Sequence, residues 1–379
     1  MRKSVIEVLK DLVNLKSINP PGLEAAVCRY IQRYFEDLGL EVTLQEVEPG
    51  RHNLMARLPG NHPGAYLFTG HMDVVPVSPA EATRWQTDPF KAVIKGDRLY
   101  GRGSSDMKSG LAAIMTALAN LKDEGFTPVH DILVCLTVDE EFYMKGSQKI
   151  MEQGLPEEIL GIIVCEPTGL DLCTAGRGRT FGRITFQGAT AHGSHPGGGS
   201  NAIDLAVEFI NEMKQADFKQ FSTQEYGDSF WQALSIEAGV EPGVVPDQCS
   251  LGIDARLTIG HSPAEVWQAV DLILDRLHLK YPDLHYCLTI DDEREPWVTH
   301  PSDPLVLQMA NSLTACGISV KTQTFSGTTD GTKLRRGGAP CIIIGPGDLS
   351  LVHRENESVS LAEVIKAVEL YQTFIKSLK

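Results

Sequence analysis

The sequence predicts an α/β fold in which a mixed sheet is covered by helices and is interrupted in mid-chain by a smaller α+β domain. Three observations carry that expectation. Four short apolar runs, Tyr66 to Thr69, Ile132 to Val138, Ile162 to Cys165 and Cys341 to Ile344, have the length and composition of strands buried on both faces. Segments with helical periodicity, such as Gly110 to Leu121 and Leu361 to Ile375, alternate with these runs along the chain. Between Arg179 and about Trp297 the pattern shifts to strands of alternating polarity and two amphipathic helices. The 379 residues leave room for two domains. We therefore divide the chain into a first domain of residues 1–178 and 297–379 and an inserted domain of 179–296.

The elements follow in order. Apolar residues at Val5, Ile6, Leu9, Leu12, Val13 and Leu15 recur at helical spacing, and that helix must stop at Asn19-Pro20-Pro21-Gly22. Leu23 to Leu38 repeats the pattern and ends at Gly39, a residue free to adopt the left-handed conformation that closes a helix. In the inserted domain, Arg183 to Phe186 and Ser250 to Thr258 read as strands, and Ala202 to Lys214 and Pro263 to Leu277 as helices. Its central stretch, Ala216 to Gly243, is less regular. The aromatics there, Phe218, Phe221, Tyr226, Phe230 and Trp231, are assigned to packing.

Composition narrows the function classes. With 42% hydrophobic and 22% charged residues, the chain has the make-up of a globular domain and not of a disordered or collagenous one. The 34 basic and 49 acidic residues leave a net charge of −15, which opposes binding to nucleic acid or to an anionic membrane, so neither partner is expected. Eight cysteines lie scattered without a C-x-x-C pair, which argues against a zinc ribbon or a disulfide framework and fits a reducing compartment. Glu7, Lys10 and Asp11 interrupt any signal-peptide core, and Gly110 to Leu121 is too short to span a bilayer. The expected address is the cytoplasm.

The chemistry lies at the strand ends. Tyr66-Leu-Phe-Thr-Gly70 leads into His71-Met72-Asp73, Ile132 to Val138 into Asp139-Glu140-Glu141, Gly161 to Cys165 into Glu166, and Cys341 to Ile344 towards His353. In open α/β sheets, ligands bind beyond the carboxyl ends of the strands, so these side chains converge on one crevice. Imidazole and carboxylate ligands suit zinc, with cobalt and manganese as competitors. A pair of metals about 3.5 to 4 Å apart needs a bridging carboxylate. Asp106 is the bridge of choice, because the glycine-rich loop Tyr100-Gly-Arg-Gly-Ser-Ser105 presents it near a helix start. Asp73, two residues beyond His71, is placed to orient the imidazole. Of the pair Glu140-Glu141, one carboxylate binds metal and the other faces the attacking water as general base and then acid. Spacing leaves open which does which. Taken singly each residue has an ordinary reading, such as a helix cap for Asp106 or a solvated strand end for Glu140-Glu141. The ordinary reading must hold at every position at once. Cys135 and Cys165, inside apolar strands, are assigned to the core.

The segments GHMDVVP, WQTDPF, LYGRGSSDMKSG, DEE, CEP and GPGDLSLVH, in this order and spacing, resemble the zinc hydrolases that include acetylornithine deacetylase, succinyl-diaminopimelate desuccinylase, aminoacylase and carboxypeptidase G. The resemblance spans nearly the whole chain. It implies two zinc ions per subunit, one held by His71, Asp106 and Glu166 and the other by Asp106, Glu141 and His353, with Glu140 as acid/base residue. It also implies that the inserted domain is a lid through which two copies pair as a homodimer. TFQGATAHGSHPGGGSNAI resembles the start of that lid, and its His192 aligns with a histidine that reaches the partner's active site and steadies the developing oxyanion. Asp254-Ala-Arg256 and Phe325-Ser-Gly-Thr-Thr-Asp330 resemble pocket-lining segments, which assigns substrate contacts to Arg256, Gly327 and Thr328. One departure bears on substrate. Desuccinylases carry asparagine where this chain has Gly243 before Val244-Val245-Pro246, and Gly178 separates Arg177 from Arg179 where desuccinylases have adjacent arginines. Both differences argue against diaminopimelate specificity. The expected activity is removal of an acetyl, succinyl or similar acyl group from an amino acid. A di- or tripeptidase or glutamate-type carboxypeptidase is the alternative, and a noncatalytic metal-stabilised binding protein the last.

Overall fold

A computed structural model of the protein describes residues 2–155, 158–216 and 226–379. It divides into two compact units, Met1–Ala175 with Val298–Phe325 and Thr329–Lys379, and Gly176–Trp297 with Ser326–Thr328.

The first unit is built on a mixed sheet whose strands run in the order Glu41–Glu48, Arg51–Leu58, His130–Thr137, His62–His71, Ile159–Val164, Cys341–Ile343 and Leu172–Gly176. The four central strands are mutually parallel, and the strands flanking them are antiparallel. Strands from both ends of the chain thus share one sheet, as the apolar runs predict. The run Ile132–Leu136 is buried throughout, which is why its sequence shows no alternation. The antiparallel ribbon Glu41–Glu48 and Arg51–Leu58 escaped the sequence reading. Its outer strand is largely exposed and so carries no apolar pattern to detect.

Helices complete this unit. Val5–Asn14 starts with a capping box, in which the Ser4 hydroxyl accepts from the Glu7 backbone N–H and the Glu7 carboxylate accepts from the Ser4 N–H at 2.8 Å. It buries Val5, Val8, Leu9, Leu12 and Val13. The C-terminal helix Leu361–Ser377 packs Tyr371 and Phe374 edge-on against Phe68 of the central strand, with ring centroids 5.4 and 6.2 Å apart. Truncating such a core aromatic to alanine costs about 3 to 5 kcal/mol. Helix Lys108–Asp123 starts two residues earlier than its periodicity predicts and lies so close to the end of strand Ile159–Val164 that a Cβ on Gly110 would meet the Cys165 carbonyl oxygen at 2.0 Å. Glycine is required there, and the contact ties the helix start to the strand end carrying Glu166. Cys135 and Cys165 are buried with both thiols pushed up by burial, Cys165 to about 12, as inert core residues would be.

The second unit is an antiparallel sheet in the order Phe230–Ala238, Gln248–Leu257, Gly178–Gln187 and His285–Arg294, with helices Ala202–Gln215 and Pro263–Lys280 packed on it. Its core joins Ile184 and Phe186 of the sheet to Phe209, Trp267 and Leu274 of the helices. Two strands went undetected in the sequence, Phe230–Ala238 and His285–Arg294. They are the sheet edges and stay mostly exposed, so burial imposes little alternation on them. Trp231 packs against the core, whereas Phe230 is 44% exposed and does not fulfil the packing role assigned to it. Phe218 and Phe221 lie outside the described residues.

Candidate metal centre

The carboxyl ends of the parallel strands lie side by side, and the sequence places a side chain able to bind metal at or beyond each. His71 is the last residue of strand His62–His71. Glu140 and Glu141 sit in the turn after His130–Thr137, and Glu166 lies two residues beyond Ile159–Val164. His353 follows Cys341–Ile343 in a long loop, and Asp106 precedes helix Lys108–Asp123. These residues form two groups, His71 with Asp106 and Glu166, and Asp106 with Glu141 and His353. The potential ligand atoms of each group lie within 4.8 Å of one another.

Asp106 belongs to both. Its Oδ1 is 3.0 Å from His71 Nε2, and its Oδ2 is 3.2 Å from His353 Nε2, so the carboxylate offers one oxygen to each group. Glu166 Oε1 stands 3.6 Å from His71 Nε2, and Glu141 Oε2 stands 2.9 Å from His353 Nε2. Glu140 belongs to neither group, but its Oε2 reaches within 4.0 Å of His71 Nε2.

The local electrostatics call for cations. Burial, followed by the Asp106 charge, raises the Glu166 carboxyl well above its usual range and shifts Glu141 the same way. Burial alone would lower both histidines. The surrounding carboxylates outweigh it, raising His71 well above 6.5 through Glu166 and Asp106, and His353 to about 11 through Glu141 and Asp106. Asp106 is buried too, yet the two imidazoles pull its carboxyl well below the usual range. Four carboxylates, of Asp106, Glu140, Glu141 and Glu166, thus face two imidazoles in a confined space. Nitrogen and oxygen donors with surplus negative charge suit divalent ions of the zinc, cobalt or manganese type.

The surroundings hold these side chains in place. His71 Nδ1 donates to the Asp73 backbone carbonyl at 2.9 Å, which turns Nε2 toward Asp106 as the nitrogen that could take a metal. The Asp73 carboxylate is farther from the ring, at 3.5 Å, and has a task that spacing did not reveal. Its two oxygens accept the backbone N–H groups of Glu140 and Glu141, each at 3.2 Å, and so hold the acidic pair in place. Asn19, Arg102 and Glu357 were also missed. Asn19 donates to Asp73 and to Asp139, at 2.9 Å each. Glu357 accepts the backbone N–H groups of Ser105 and Asp106 at 3.0 and 3.1 Å. The only sequence signal for Glu357 is its position four residues after His353.

In the second unit, His192 is exposed, with its Nδ1 2.8 Å from the Ser194 hydroxyl. Arg256, Arg179 and Arg294 lie directly opposite one another on three adjacent strands. Asp254 pairs with Arg256 and Arg179 at 2.9 and 2.5 Å, and Asp292 with Arg294 at 2.6 Å. Thr328 accepts a hydrogen bond from Arg294 at 2.8 Å, and Gly327 precedes it in the same segment.

Residues 67–377 match peptidase family M20/M25/M40. A probable succinyl-diaminopimelate desuccinylase of Staphylococcus aureus is 27% identical, covering 100% of this chain and 98% of the relative. A succinyl-diaminopimelate desuccinylase of Methylobacillus flagellatus is 30% identical, covering 98% of each. Among solved structures, an M20 family metallo-carboxypeptidase of Sulfolobus solfataricus superposes with a TM-score of 0.83 at 19% identity, covering 99% of each chain. A tripeptidase of Staphylococcus aureus superposes with a TM-score of 0.79 at 22% identity, covering 98% of this chain and 97% of its own. Family match, parallel central strands and paired candidate ligand groups agree: the chain belongs to peptidase family M20/M25/M40, a metal-dependent enzyme class that hydrolyses amide bonds.

Proposed function

We propose that this enzyme holds two zinc ions and removes an acyl group, acetyl, succinyl or similar, from the nitrogen of an amino acid. The observation that carries the reading is the split Asp106 carboxylate, one oxygen toward His71 and the other toward His353. A dinuclear site needs such a bridge, and cobalt or manganese would suit the same donors. Bound there, the ions polarise an amide carbonyl and lower the pKa of water. His71, Asp106 and Glu166 are the ligands of one ion, and Asp106, Glu141 and His353 those of the other.

The remaining work falls to side chains. Glu140, within 4.0 Å of His71 but a member of neither group, takes a proton from the attacking water and returns it to the leaving amine as the C–N bond breaks. Asp73 keeps Glu140 and Glu141 in register by holding their backbone N–H groups. Arg256, Gly327 and Thr328 contact the substrate, with the guanidinium taking its carboxylate. His192 is supplied by the partner subunit of a homodimer and donates to the developing oxyanion. Its exposed position in the second unit and the exposed edge strand Phe230–Ala238 support that pairing. The net charge of −15 and free cysteines support action on a small soluble substrate in the cytoplasm, with neither nucleic acid nor membrane as partner.

A panel of N-acetyl and N-succinyl amino acids, assayed beside di- and tripeptides with added zinc or cobalt, tests the reading. Hydrolysis confined to peptides would favour the second reading, a di- or tripeptidase or carboxypeptidase, which the tripeptidase and metallo-carboxypeptidase likenesses support.

A further inference from the structure

The two ligand groups are anchored very differently. His71 and Glu166 lie at or next to strand ends in the middle of the sheet, and both side chains are almost fully buried. His353 sits in an irregular loop with 47% of its side chain exposed, so something other than the sheet must set its distance from Asp106. One buried ion chain joins the two loops. Arg102, 1% exposed, donates through Nη1 to Glu357 at 2.8 Å and through Nη2 to Glu81 at 2.5 Å. The far oxygen of Glu357 accepts the backbone N–H groups of Ser105 and Asp106, while Arg102 Nη1 also reaches the carbonyl of Arg354, next to His353, at 3.3 Å. The Gly101 N–H closes the frame on the Glu357 carbonyl at 3.0 Å. At the outer end the Trp85 indole N–H donates to Glu81 at 3.1 Å, and the Arg102 guanidinium lies over the Trp85 ring at 5.5 Å.

We propose that Glu81, Arg102 and Glu357 are positioning residues that lock the His353 loop to the Asp106 loop and thereby set the affinity of the second metal position selectively. This rests on the two-ion reading above. The first position draws two of its three ligands from the sheet and depends little on the clamp. The second depends on a loop that the clamp ties to the Asp106 side, together with the hydrogen bond from the Asp348 N–H to the Ser105 hydroxyl at 3.0 Å. Arg102 suits the task because its planar fork serves two carboxylates at once, which a lysine cannot do. Glu357 suits it because a carboxylate can take two backbone N–H groups on one oxygen and an arginine on the other.

The test is cobalt(II) titration of the metal-free chain, followed by visible absorption and chelator competition, in the wild type and in Arg102→Lys, Glu357→Gln and Glu81→Gln. His353→Ala serves as the reference that identifies the signal of the second position. The expected result is a roughly 10- to 100-fold loss of affinity at that position in Arg102→Lys and Glu357→Gln, as supporting residues around a metal typically show. The first position should stay within about threefold of the wild type on the same comparison. Glu81→Gln, at the more accessible end of the chain, should weaken the same position by a smaller factor, and it keeps the test intact if the inner variants fail to fold. Equal weakening at both positions, or none at either, would overturn the proposal, because a merely structural role changes stability without separating the two affinities. A wild-type chain that takes up only one ion would overturn the two-ion reading and this inference with it; two ions that weaken together overturn this inference alone.

Discussion

Asn19 Nδ2 donates a hydrogen bond to Asp73 Oδ2 over 2.9 Å, across 54 residues of sequence and with both side chains buried. The second amide hydrogen goes to Asp139, so a single amide supplies a hydrogen bond to each of two buried carboxylates. Replacing Asn19 by leucine leaves both short of a donor, a loss of about 1 to 3 kcal/mol for buried groups. We expect a lower melting temperature and a fall in kcat larger than the change in KM, since Asp73 holds Glu140 and Glu141. Asn19→Asp would add a third carboxylate and should be worse at pH 8 than at pH 5. Thermal melts at both pH values, together with steady-state kinetics, check the pair of outcomes.

Glu140→Gln should keep its metal content and lose turnover by about 10²- to 10⁴-fold, the usual cost of a missing general base. Metal analysis beside single-turnover kinetics decides. A variant with an unchanged rate assigns the proton transfer elsewhere.

The imidazoles set the pH dependence. In the metal-free protein the carboxylates around His353 raise it to about 11, and those around His71 shift it in the same direction. A histidine whose folded pKa is raised contributes stability that is full below its unfolded value, about 6.5, and is lost as pH climbs through the folded value. For His353 that window runs from about 6.5 to about 11. Divalent ions must displace these protons. Zinc uptake at pH 7 should therefore release protons, that of His353 among them, and zinc affinity should rise with pH. Calorimetry in buffers of different ionisation enthalpy measures the release; uptake without proton release would contradict the assignment of His71 and His353 as ligands.

Gly110→Ala should be unusually costly for a glycine inside a helix, where alanine is ordinarily the better former. Its Cβ would lie 2.0 Å from the Cys165 carbonyl oxygen, forcing the helix away from the strand end that carries Glu166. Overpacking of this kind costs about 1 to 3 kcal/mol. We expect that loss in denaturant melts, accompanied by weaker binding at the metal position that includes Glu166.

Mixing Glu140→Gln with His192→Ala, each inactive alone, tests the shared active site. Random exchange puts half of the subunits into mixed dimers in which one of two sites has both groups, restoring up to about a quarter of wild-type activity. No recovery despite demonstrated exchange removes the partner's His192 from the mechanism.

The legible parts of the sequence were those under the strongest physical constraint. Strands buried on both faces, such as Ile132 to Val138 and Ile162 to Cys165, must be apolar, and the polar residues that follow them stand out sharply. The edge strands Glu41–Glu48, Phe230–Ala238 and His285–Arg294 are mostly exposed or only half-buried, so little burial enforces a pattern on them and they went undetected. His71, Asp106, Glu141, Glu166 and His353 could be nominated because each follows or flanks such an element. Asn19, Arg102 and Glu357 could not, because their roles arise from contacts across 21 to 255 residues. The Asp73 contact to the backbone of Glu140 and Glu141 was hidden for the same reason, since main-chain donors have no residue signature.

The bridging role of Asp106 is the centre of this account, and metal analysis of Asp106→Asn beside the wild type tests it most directly. After removal of metal and reloading with zinc, the wild type should hold two ions per chain, a pair being what one bridging carboxylate serves, and should hydrolyse an N-acyl amino acid. Asp106→Asn should lose tight binding at both positions together and lose activity with it. A variant that keeps one ion at wild-type affinity while the other is lost, or a wild-type chain that never takes up a second ion, would contradict the bridge.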